Sequence, residues 1–298
     1  MITLNETTKK FGEFTALDNV SIDIPSGVAF GLLGSNGAGK STILRLISGI
    51  YSPDSGAVTI DGENIYNNTS AKSKVFFIND ETVQFGSFTL NSLKEYYKGF
   101  YPNFSEEIFS KLNETIKLPE NKKIASFSKG MKRQAAVISG LSCCTEYLLM
   151  DEAFDGIDPT MRIIVKRMLI DAMIDRGMTV VISSHNLVEI NEICDSVALL
   201  HKGKMLFSRS LDSVKGDIHK VQAAFKTEYS REDFDIPDIL NFSRSGHVHY
   251  FVMRGSEEKI RSEFERYSPA VLDIIPLTLE EIFIYEMEGM GYDANGIV

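Results

Sequence analysis

The sequence lacks the features that mark membrane-spanning, secreted or nucleic-acid-binding chains. No run approaches the ~18 consecutive apolar residues of a membrane helix, and the first residues carry no basic and then apolar stretch of the signal-peptide kind. Basic residues are few, because 31 Lys and Arg stand against 41 Asp and Glu, a formal charge of −10. We therefore expect a cytosolic protein that does not bind nucleic acid.

Cysteine is also scarce. Of the 3 cysteines, Cys143 and Cys144 are adjacent and Cys194 is distant, so none has the spacing of a metal site. We expect reduced and mostly buried thiols. The remaining composition, 43% hydrophobic and 24% charged, is that of a globular protein, and 298 residues predict one large domain plus a small one.

A glycine-rich stretch organises the rest of the chain. Residues 34–42 read GSNGAGKST, follow the apolar run 28–33 and open into a helical pattern over 43–47. The stretch satisfies G-x-x-x-x-G-K-[ST], in which backbone N–H groups surround phosphate oxygens at a helix N-terminus. We predict that Lys40 reaches the β- and γ-phosphates and that Ser41 offers its hydroxyl to Mg²⁺; the alternative is a flexible Gly/Ser turn. The predicted phosphate-binding residues are Ser35, Asn36, Gly37, Ala38, Gly39, Lys40, Ser41 and Thr42.

Two further strand ends carry polar side chains. The apolar run 147–150 ends at Asp151 and Glu152, and the apolar run 179–182 is followed closely by His185. At the carboxyl edge of a parallel sheet, Asp151 would hold the Mg²⁺ shell and Glu152 would accept a proton from the attacking water or orient it. His185 would hydrogen-bond the γ-phosphate and the water. Alone, each of these groups would more simply be a charged or structural strand end.

The order of patterns divides the chain. Residues 2–33 predict a β layer of short strands, the spacing becomes helical from about 82 to 145, and alternating strands and helices from 147 to 207 predict a mostly parallel sheet. From residue 216 a second, small α+β unit follows, in which we find no chemical motif. We expect it to serve dimer contacts or regulation.

Residues 127–134 point to a known protein family. They read FSKGMKRQ and precede the strand that ends at Asp151. This stretch resembles the signature motif of ATP-binding cassette (ABC) ATPases, usually Leu-Ser-Gly-Gly-Gln. Residues 34–42 look like that family's Walker A, 147–152 its Walker B with the Glu that acts in hydrolysis, 156–159 its D-loop, and His185 its switch histidine. The order and spacing match over residues 1 to about 210.

The resemblance implies an α/β fold: a P-loop NTPase cassette over residues 1–215, with an N-terminal antiparallel β layer, a mostly parallel core sheet and a helical subdomain at about 82–145. A small C-terminal α+β domain occupies 216–298. ATP and Mg²⁺ are the implied ligands, and ATP is held between two subunits, a homodimer or a paralogous heterodimer. Ser128 and the Gly130 backbone would contact the γ-phosphate in trans, and Asp158 of the D-loop would also lie at the nucleotide.

Four positions depart from the family's usual residues. Phe11 stands where the family usually has a Tyr that stacks on adenine. Phenylalanine can still stack on the base, but it lacks the phenol hydroxyl. The Q-loop Gln falls within residues 78–81, where Asp80 matches best and could still meet Mg²⁺ or water. Lys129 and Met131 replace the Gly and Gln of the signature and add a cation. This variant looks like ATPase subunits of bacterial exporters of antibiotics or antimicrobial peptides.

Three functional hypotheses follow. The first is an ATPase subunit, peripheral on the inner face of the cell membrane, that drives a separate membrane-spanning permease. The second is a non-transport cassette that acts on the ribosome or DNA, and the third is a binding module that has lost turnover. For the first, we predict that a cytosolic helix of the permease docks beside a segment dense in aromatic residues. These aromatic residues are Phe85, Phe88, Tyr96, Tyr97, Phe100, Tyr101 and Phe104.

Overall fold

The computed structural model describes residues 1–80, 87–152, 154–216 and 218–289, and the chain divides into two compact units, residues 1–208 and 209–298. Glu81, Gln84 and Phe85, at the predicted Q-loop and the start of the aromatic segment, lie outside the described residues. Within the described ranges no helix has the length and apolar character needed to cross a membrane.

The first unit opens with an antiparallel sheet. Its strand order is β2-β1-β4-β5, and β1 pairs antiparallel with both β2 and β4. Alternate residues of β1 and β2, such as Ile2, Leu4 and Ile22, are buried, as expected of a sheet with one face on a core. The predicted antiparallel layer is therefore present. The strands are β1 (Ile2–Phe11), β2 (Phe14–Ile24), β4 (Ser55–Ile60) and β5 (Glu63–Asn64).

The second sheet forms the centre of this unit. It has the order β10-β9-β3-β8-β7-β6, and the five strands from β9 to β6 run parallel. Strands β3, β7 and β8 are buried at every residue, because helices cover both faces of a parallel sheet. The strands are β3 (Ala29–Leu33), β6 (Val75–Ile78), β7 (Tyr147–Asp151), β8 (Thr179–Ser183), β9 (Ser196–His201) and β10 (Lys204–Ser210).

Helices connect these strands. Residues 87–145 are mainly helical, as predicted, and have their own apolar core, which includes Leu90, Phe109 and Ile138. Cys143, Cys144 and Cys194 are free thiols. The helices are α1 (Lys40–Ile47), α2 (Thr69–Ser73), α3 (Leu90–Phe100), α4 (Glu106–Ile116), α5 (Lys129–Ser142), α6 (Pro159–Arg176) and α7 (Leu187–Ile193), with a 3₁₀ turn at Ile124–Ser126.

The second unit is a small α+β structure. Its antiparallel sheet has the order β12-β13-β11-β14, and Phe251 and Phe264 lie in an aromatic-rich core. The boundary predicted at residue 215 falls inside its first helix. The elements are α8 (Leu211–Gly216), β11 (Ile218–Ala224), β12 (Ile239–Ser245), β13 (Val248–Arg254), α9 (Glu257–Glu265), β14 (Val271–Pro276) and α10 (Leu279–Gly289), with a 3₁₀ turn at Arg231–Asp233.

Candidate functional site

The strand order brings three sequence motifs to one edge of the core sheet. Strand β3 leads into the glycine-rich loop and β7 ends at Asp151. Strand β8 lies between them and ends at Ser183, two residues before His185. Because β3, β8 and β7 are parallel, their carboxyl ends meet at the same edge, where ligands of open α/β sheets bind.

The shape of the phosphate loop requires glycine at two positions. Gly34 has a φ of +147°, and a Cβ atom there would lie 2.3 Å from the Leu200 carbonyl oxygen. Gly39 has a φ of +112°, and a Cβ atom there would lie 2.6 Å from the Leu17 side chain. Both backbone conformations are rare for residues with a side chain. The loop is thus packed closely against neighbouring segments at these two glycines.

The Lys40 side chain lies within this loop. Its Nζ donates hydrogen bonds to the carbonyl oxygens of Gly34, at 2.7 Å, and Ser35, at 3.2 Å. Burial lowers the pKa of Lys40, while the carboxylates of Glu152 and Asp151 act in the opposite direction. The ammonium group therefore lies among loop carbonyls at the start of α1, near both acidic side chains.

Ser41 and Asp151 contact each other directly. The Ser41 hydroxyl donates to Asp151 Oδ1 at 3.0 Å, and the Ser183 hydroxyl donates to the same oxygen at 2.5 Å. The other carboxylate oxygen, Oδ2, is buried without a hydrogen-bond partner among the described residues. A hydroxyl oxygen beside a buried carboxylate with an unused oxygen is a donor set that suits Mg²⁺ and its water shell.

Glu152 and His185 form a second contact at this edge. His185 Nδ1 lies 2.9 Å from Glu152 Oε2. Glu152 has a φ of +49°, which a non-glycine residue adopts at a cost of about 1–3 kcal/mol. Its backbone N–H donates to the Ser183 hydroxyl at 3.1 Å. This strained backbone turns the chain sharply after β7 and leaves the Glu152 side chain partly exposed beside His185.

The remaining residues of the predicted nucleotide site surround the loop. Asn36 and Gly37 are exposed, while Ser35, Gly39 and Thr42 are half-buried. Ala38 is buried, and its carbonyl accepts a hydrogen bond from Gly203 N at 3.0 Å. The exposed loop tip leaves backbone groups accessible to a ligand.

Phe11 ends strand β1 with 43% of its surface exposed. Its ring meets Tyr51 edge to face, with centroids 5.3 Å apart, and the Lys9 ammonium lies 5.5 Å from the ring centroid. The ring is therefore held by contacts with Tyr51 and Lys9 and is partly exposed.

The signature residues lie against the loop that precedes α6. Ser128 is the exposed N-cap of α5, and its hydroxyl accepts from Met131 N at 3.2 Å. A Cβ atom on the buried Gly130 would lie 2.6 Å from the Gly156 carbonyl oxygen. The Lys129 ammonium, the cation added to this motif, pairs with Asp155 at 2.5 Å.

Asp158 and Asp80 also have partners within the chain. Asp158 is the N-cap of α6 and accepts from Met161 N at 3.0 Å. Asp80 Oδ1 accepts from the Arg45 guanidinium at 3.2 Å. This oxygen of Asp80, the residue predicted to replace the Q-loop Gln, is thus engaged with α1.

Sequence reasoning missed two buried polar residues at this edge. Ser183 pairs in register with Asp151 in the sheet. Its place at the end of the neighbouring strand could have indicated a contact with the predicted carboxylate. Arg133 is 1% exposed and donates to the carbonyl oxygens of Asn79 and Asp80, the latter at 2.7 Å. An arginine within the mostly small and apolar sequence of α5 could have indicated a buried guanidinium with hydrogen-bond partners.

The same stretch of chain resembles known proteins. A family model described as ABC transporter matches residues 17–155. The ABC transporter ATP-binding protein YtrB of Bacillus subtilis is 30% identical over 292 residues, which cover 97% of this chain and 99% of YtrB. The chain belongs to the ATP-binding proteins of ABC transporters. The resemblance inferred from residues 127–134 and the motifs around them is confirmed.

Two further similarities place this ABC protein among its relatives. The bacitracin transport ATP-binding protein BcrA of Bacillus licheniformis is 27% identical over 310 residues, which cover 94% of each chain. A solved dimeric ATP-binding cassette, in a post-hydrolysis state bound to ADP and Pi, matches with a TM-score of 0.64 at 22% identity, over 71% of this chain and 99% of that one. The second similarity confirms the P-loop cassette fold.

Family membership gives this ABC protein its activity. It is an ATP hydrolase and the ATP-binding subunit of a transporter. The edge of the core sheet brings together Lys40 in the phosphate loop, the Ser41–Asp151 pair and the Glu152–His185 contact.

Proposed function

We propose that this ABC subunit hydrolyses Mg-ATP at a site shared with a second subunit, and that it drives a membrane permease from the inner, cytoplasmic face of the cell membrane. We also propose that the transporter exports a peptide or drug-like compound, since the similar protein BcrA is named for bacitracin transport. The observation that carries the proposal is the Glu152–His185 contact of 2.9 Å beside the Ser41–Asp151 pair.

Each residue of this edge has a distinct role in the proposal. Lys40 and the backbone of the phosphate loop bind the phosphates through charge-assisted hydrogen bonds. Ser41 and Asp151 hold Mg²⁺, which neutralises charge on the phosphate oxygens when it is bound. Glu152 accepts a proton from the attacking water, and His185 holds the water and the γ-phosphate in place. The contact between Glu152 and His185 keeps the two groups together before the nucleotide arrives.

The second subunit completes the site in this proposal. Ser128 and Lys129, at the start of α5, are exposed and therefore accessible to a nucleotide on the other subunit. Phe11 stacks on the adenine and Asp158 lies near the subunit boundary. The partner is a second copy of this chain or a paralogue.

A pair of variants tests the shared site. Lys40→Ala removes the charge on the phosphates and should abolish ATP binding. Ser128→Arg should leave ATP binding by the monomer unchanged, yet abolish the dimer that forms on ATP. Size-exclusion chromatography with ATP, in a Glu152→Gln background that slows hydrolysis, separates the two defects. A Ser128→Arg protein that still dimerises on ATP contradicts the shared site.

A groove in the first unit supports the docking of a permease. It has a volume of about 350 Å³ and lies between β6 and helices α3 and α5, with Phe76, Tyr97 and Tyr101 on its apolar wall. Lys72 and Lys132 also line it. We propose that the occupant is a short amphipathic helix of the permease that carries an acidic residue, because the apolar wall is bordered by cations.

Six of the seven predicted aromatic residues are described, and two of them, Tyr97 and Tyr101, line the groove. None of the six is fully buried, and Phe100 is 66% exposed. Cysteines placed in α3, paired with cysteines in the cytosolic loops of a co-expressed permease, should form cross-links that depend on the nucleotide. Cross-links elsewhere on the cassette but none from α3 would contradict the docking proposal.

The division into a nucleotide-binding domain at 1–215 and an accessory domain at 216–298 is part of the same proposal. All the groups assigned to the nucleotide lie in the first domain. The α+β domain is left for contacts between subunits or for regulation.

A further inference from the structure

A buried carboxylate outside the residues assigned above lies just behind the His185 loop. Glu189, on α7, is 8% exposed. Its Oε1 accepts hydrogen bonds from the Arg162 guanidinium at 2.7 Å and from the Asn186 amide at 3.3 Å, and its Oε2 accepts from the Ser184 hydroxyl at 3.0 Å. A charged group at this depth is retained only when its hydrogen bonds are satisfied, and three donors satisfy this one.

Two of these donors are the residues on either side of His185. Ser184 is 2% exposed, and its backbone N–H also donates to the Leu32 carbonyl at 3.2 Å. Asn186 donates from its backbone to the Ser184 hydroxyl at 3.0 Å and caps α7 with its side chain. The His185 side chain itself is 63% exposed. The position of His185 is therefore set by neighbours that are bonded to Glu189.

The third donor connects Glu189 to the loop before α6. The Arg162 guanidinium also donates to the Ile157 carbonyl at 3.3 Å. That loop includes Gly156, whose carbonyl lies directly against Gly130 of the signature helix. A continuous series of contacts thus runs from the signature helix through residues 156–158 and Arg162 to the histidine loop.

We propose that Glu189 is the positioning residue of His185 and that Arg162 connects it to the loop at 156–158, so that a partner subunit engaged at that loop keeps His185 in its place beside Glu152. This inference rests on the proposed hydrolytic roles of Glu152 and His185. Its physical basis is that a side chain 63% exposed depends on its backbone position to keep the 2.9 Å contact with Glu152. A misplacement of about 1 Å near the reacting atoms can cost ~100-fold in rate.

Glu189→Gln tests the proposal, because the amide keeps the size of the side chain but loses the charge that Arg162 requires. We expect kcat to fall about tenfold, the typical effect of removing a group that orients another functional group, while the affinity of the monomer for ATP stays within about twofold. Ser184→Ala, which removes only one of the three donors, should lower kcat less. It provides the same test if Glu189→Gln fails to fold.

A matched control lies one turn along the same two helices. Glu192 of α7 pairs with Lys166 of α6 at the surface and has no part in the contacts to Ser184 or Asn186. Glu192→Gln therefore removes an ion pair between α6 and α7 without touching the histidine loop. Its kcat should equal that of the wild type; an equal loss in Glu192→Gln and Glu189→Gln would contradict the proposal.

A double-mutant cycle distinguishes positioning of His185 from a general structural role. In a His185→Ala background, Glu189→Gln should lower kcat less than twofold, because the residue through which it acts is gone. The imidazole NMR signal of His185, assigned by its loss in His185→Ala, should shift in Glu189→Gln and stay in place in Glu192→Gln. Additive losses, or an unmoved His185 signal, would overturn the inference.

The controls also separate this inference from the proposed function. If the wild type hydrolyses ATP and His185→Ala slows it, yet Glu189→Gln behaves as wild type, only the inference fails. If His185→Ala and Glu152→Gln both leave turnover unchanged, the hydrolytic roles themselves fail.

Discussion

Replacing Arg133 with Met should loosen the contact between the signature helix and the core sheet. Arg133 is 1% exposed on α5, and its guanidinium donates to the carbonyl oxygens of Asn79 and Asp80, just after β6. Methionine fills a similar volume but donates no hydrogen bond. The two carbonyls would lose their partner while α5 keeps its apolar packing.

The magnitude follows from two opposing effects. Hydrogen bonds to a charged group are worth roughly 1.5–3 kcal/mol each, so their loss alone would cost about 3–6 kcal/mol. Against this, burial lowers the pKa of Arg133, and its Nε has no partner among the described residues, so the buried cation is itself costly. We expect a net loss of about 2–3 kcal/mol, which lowers the melting temperature by roughly 5–10 °C for a domain of this size.

Scanning calorimetry of the nucleotide-free protein measures this change. Hydrogen exchange should then show faster exchange in α5 and at the end of β6. Arg133→Lys retains one charged donor and should lose less of the free energy of unfolding than Arg133→Met does. Lys132→Met, at the half-buried position one residue earlier on α5, should change that free energy by no more than about 0.5 kcal/mol. A melting temperature of Arg133→Met within about 1 °C of wild type would refute the reasoning.

Three other predictions follow from particular contacts. Burial acts to raise the pKa of Asp61, but hydrogen bonds from Lys74 and neighbouring donors outweigh it and hold that pKa below the ordinary 3.8. Asp61→Asn should therefore lower the melting temperature at pH 7, and the difference from wild type should narrow as the pH falls below 3.8. A difference that stays constant with pH would contradict the assignment. Gly130→Ala places a Cβ atom 2.6 Å from the Gly156 carbonyl, so ATPase activity should fall at least tenfold while ATP affinity of the monomer is retained, as phosphate-release and binding assays can show. A chain that ends at residue 215 should still bind ATP in a calorimetric titration, and a folded truncation that does not bind would show that the second domain completes the site.

The fold and the centre of the site were largely predictable because their signals are local. The phosphate loop, Asp151 and His185 each follow an apolar strand, and parallel strands bring such ends together. Strand β12 was missed, since Ile239–Ser245 is an edge strand that is mostly exposed and carries Asn, Ser and Arg. Helix α8 was missed as well: six residues are too few to show a helical period.

The polar contacts that connect the motifs were not predictable from spacing. Glu189 and Arg162 lie 27 positions apart in sequence and meet only because the fold brings α6 and α7 within reach of each other's side chains. Ser183 bonds to Asp151 across two neighbouring strands, and Arg133 reaches carbonyls 53 and 54 positions earlier. A sequence pattern reports which face of an element is apolar, but the partner of a buried polar group depends on tertiary packing.

The hydrolytic role of Glu152 is tested most directly by measuring ATP affinity and turnover in the same Glu152→Gln protein. The amide keeps the size of the side chain and its place beside His185, but it cannot accept a proton. We predict that steady-state phosphate release falls by about 100-fold or more, while ATP affinity stays within about twofold of wild type, because Lys40, Ser41 and Asp151 are unchanged. Wild-type turnover, or affinity and turnover lost together, would contradict the account.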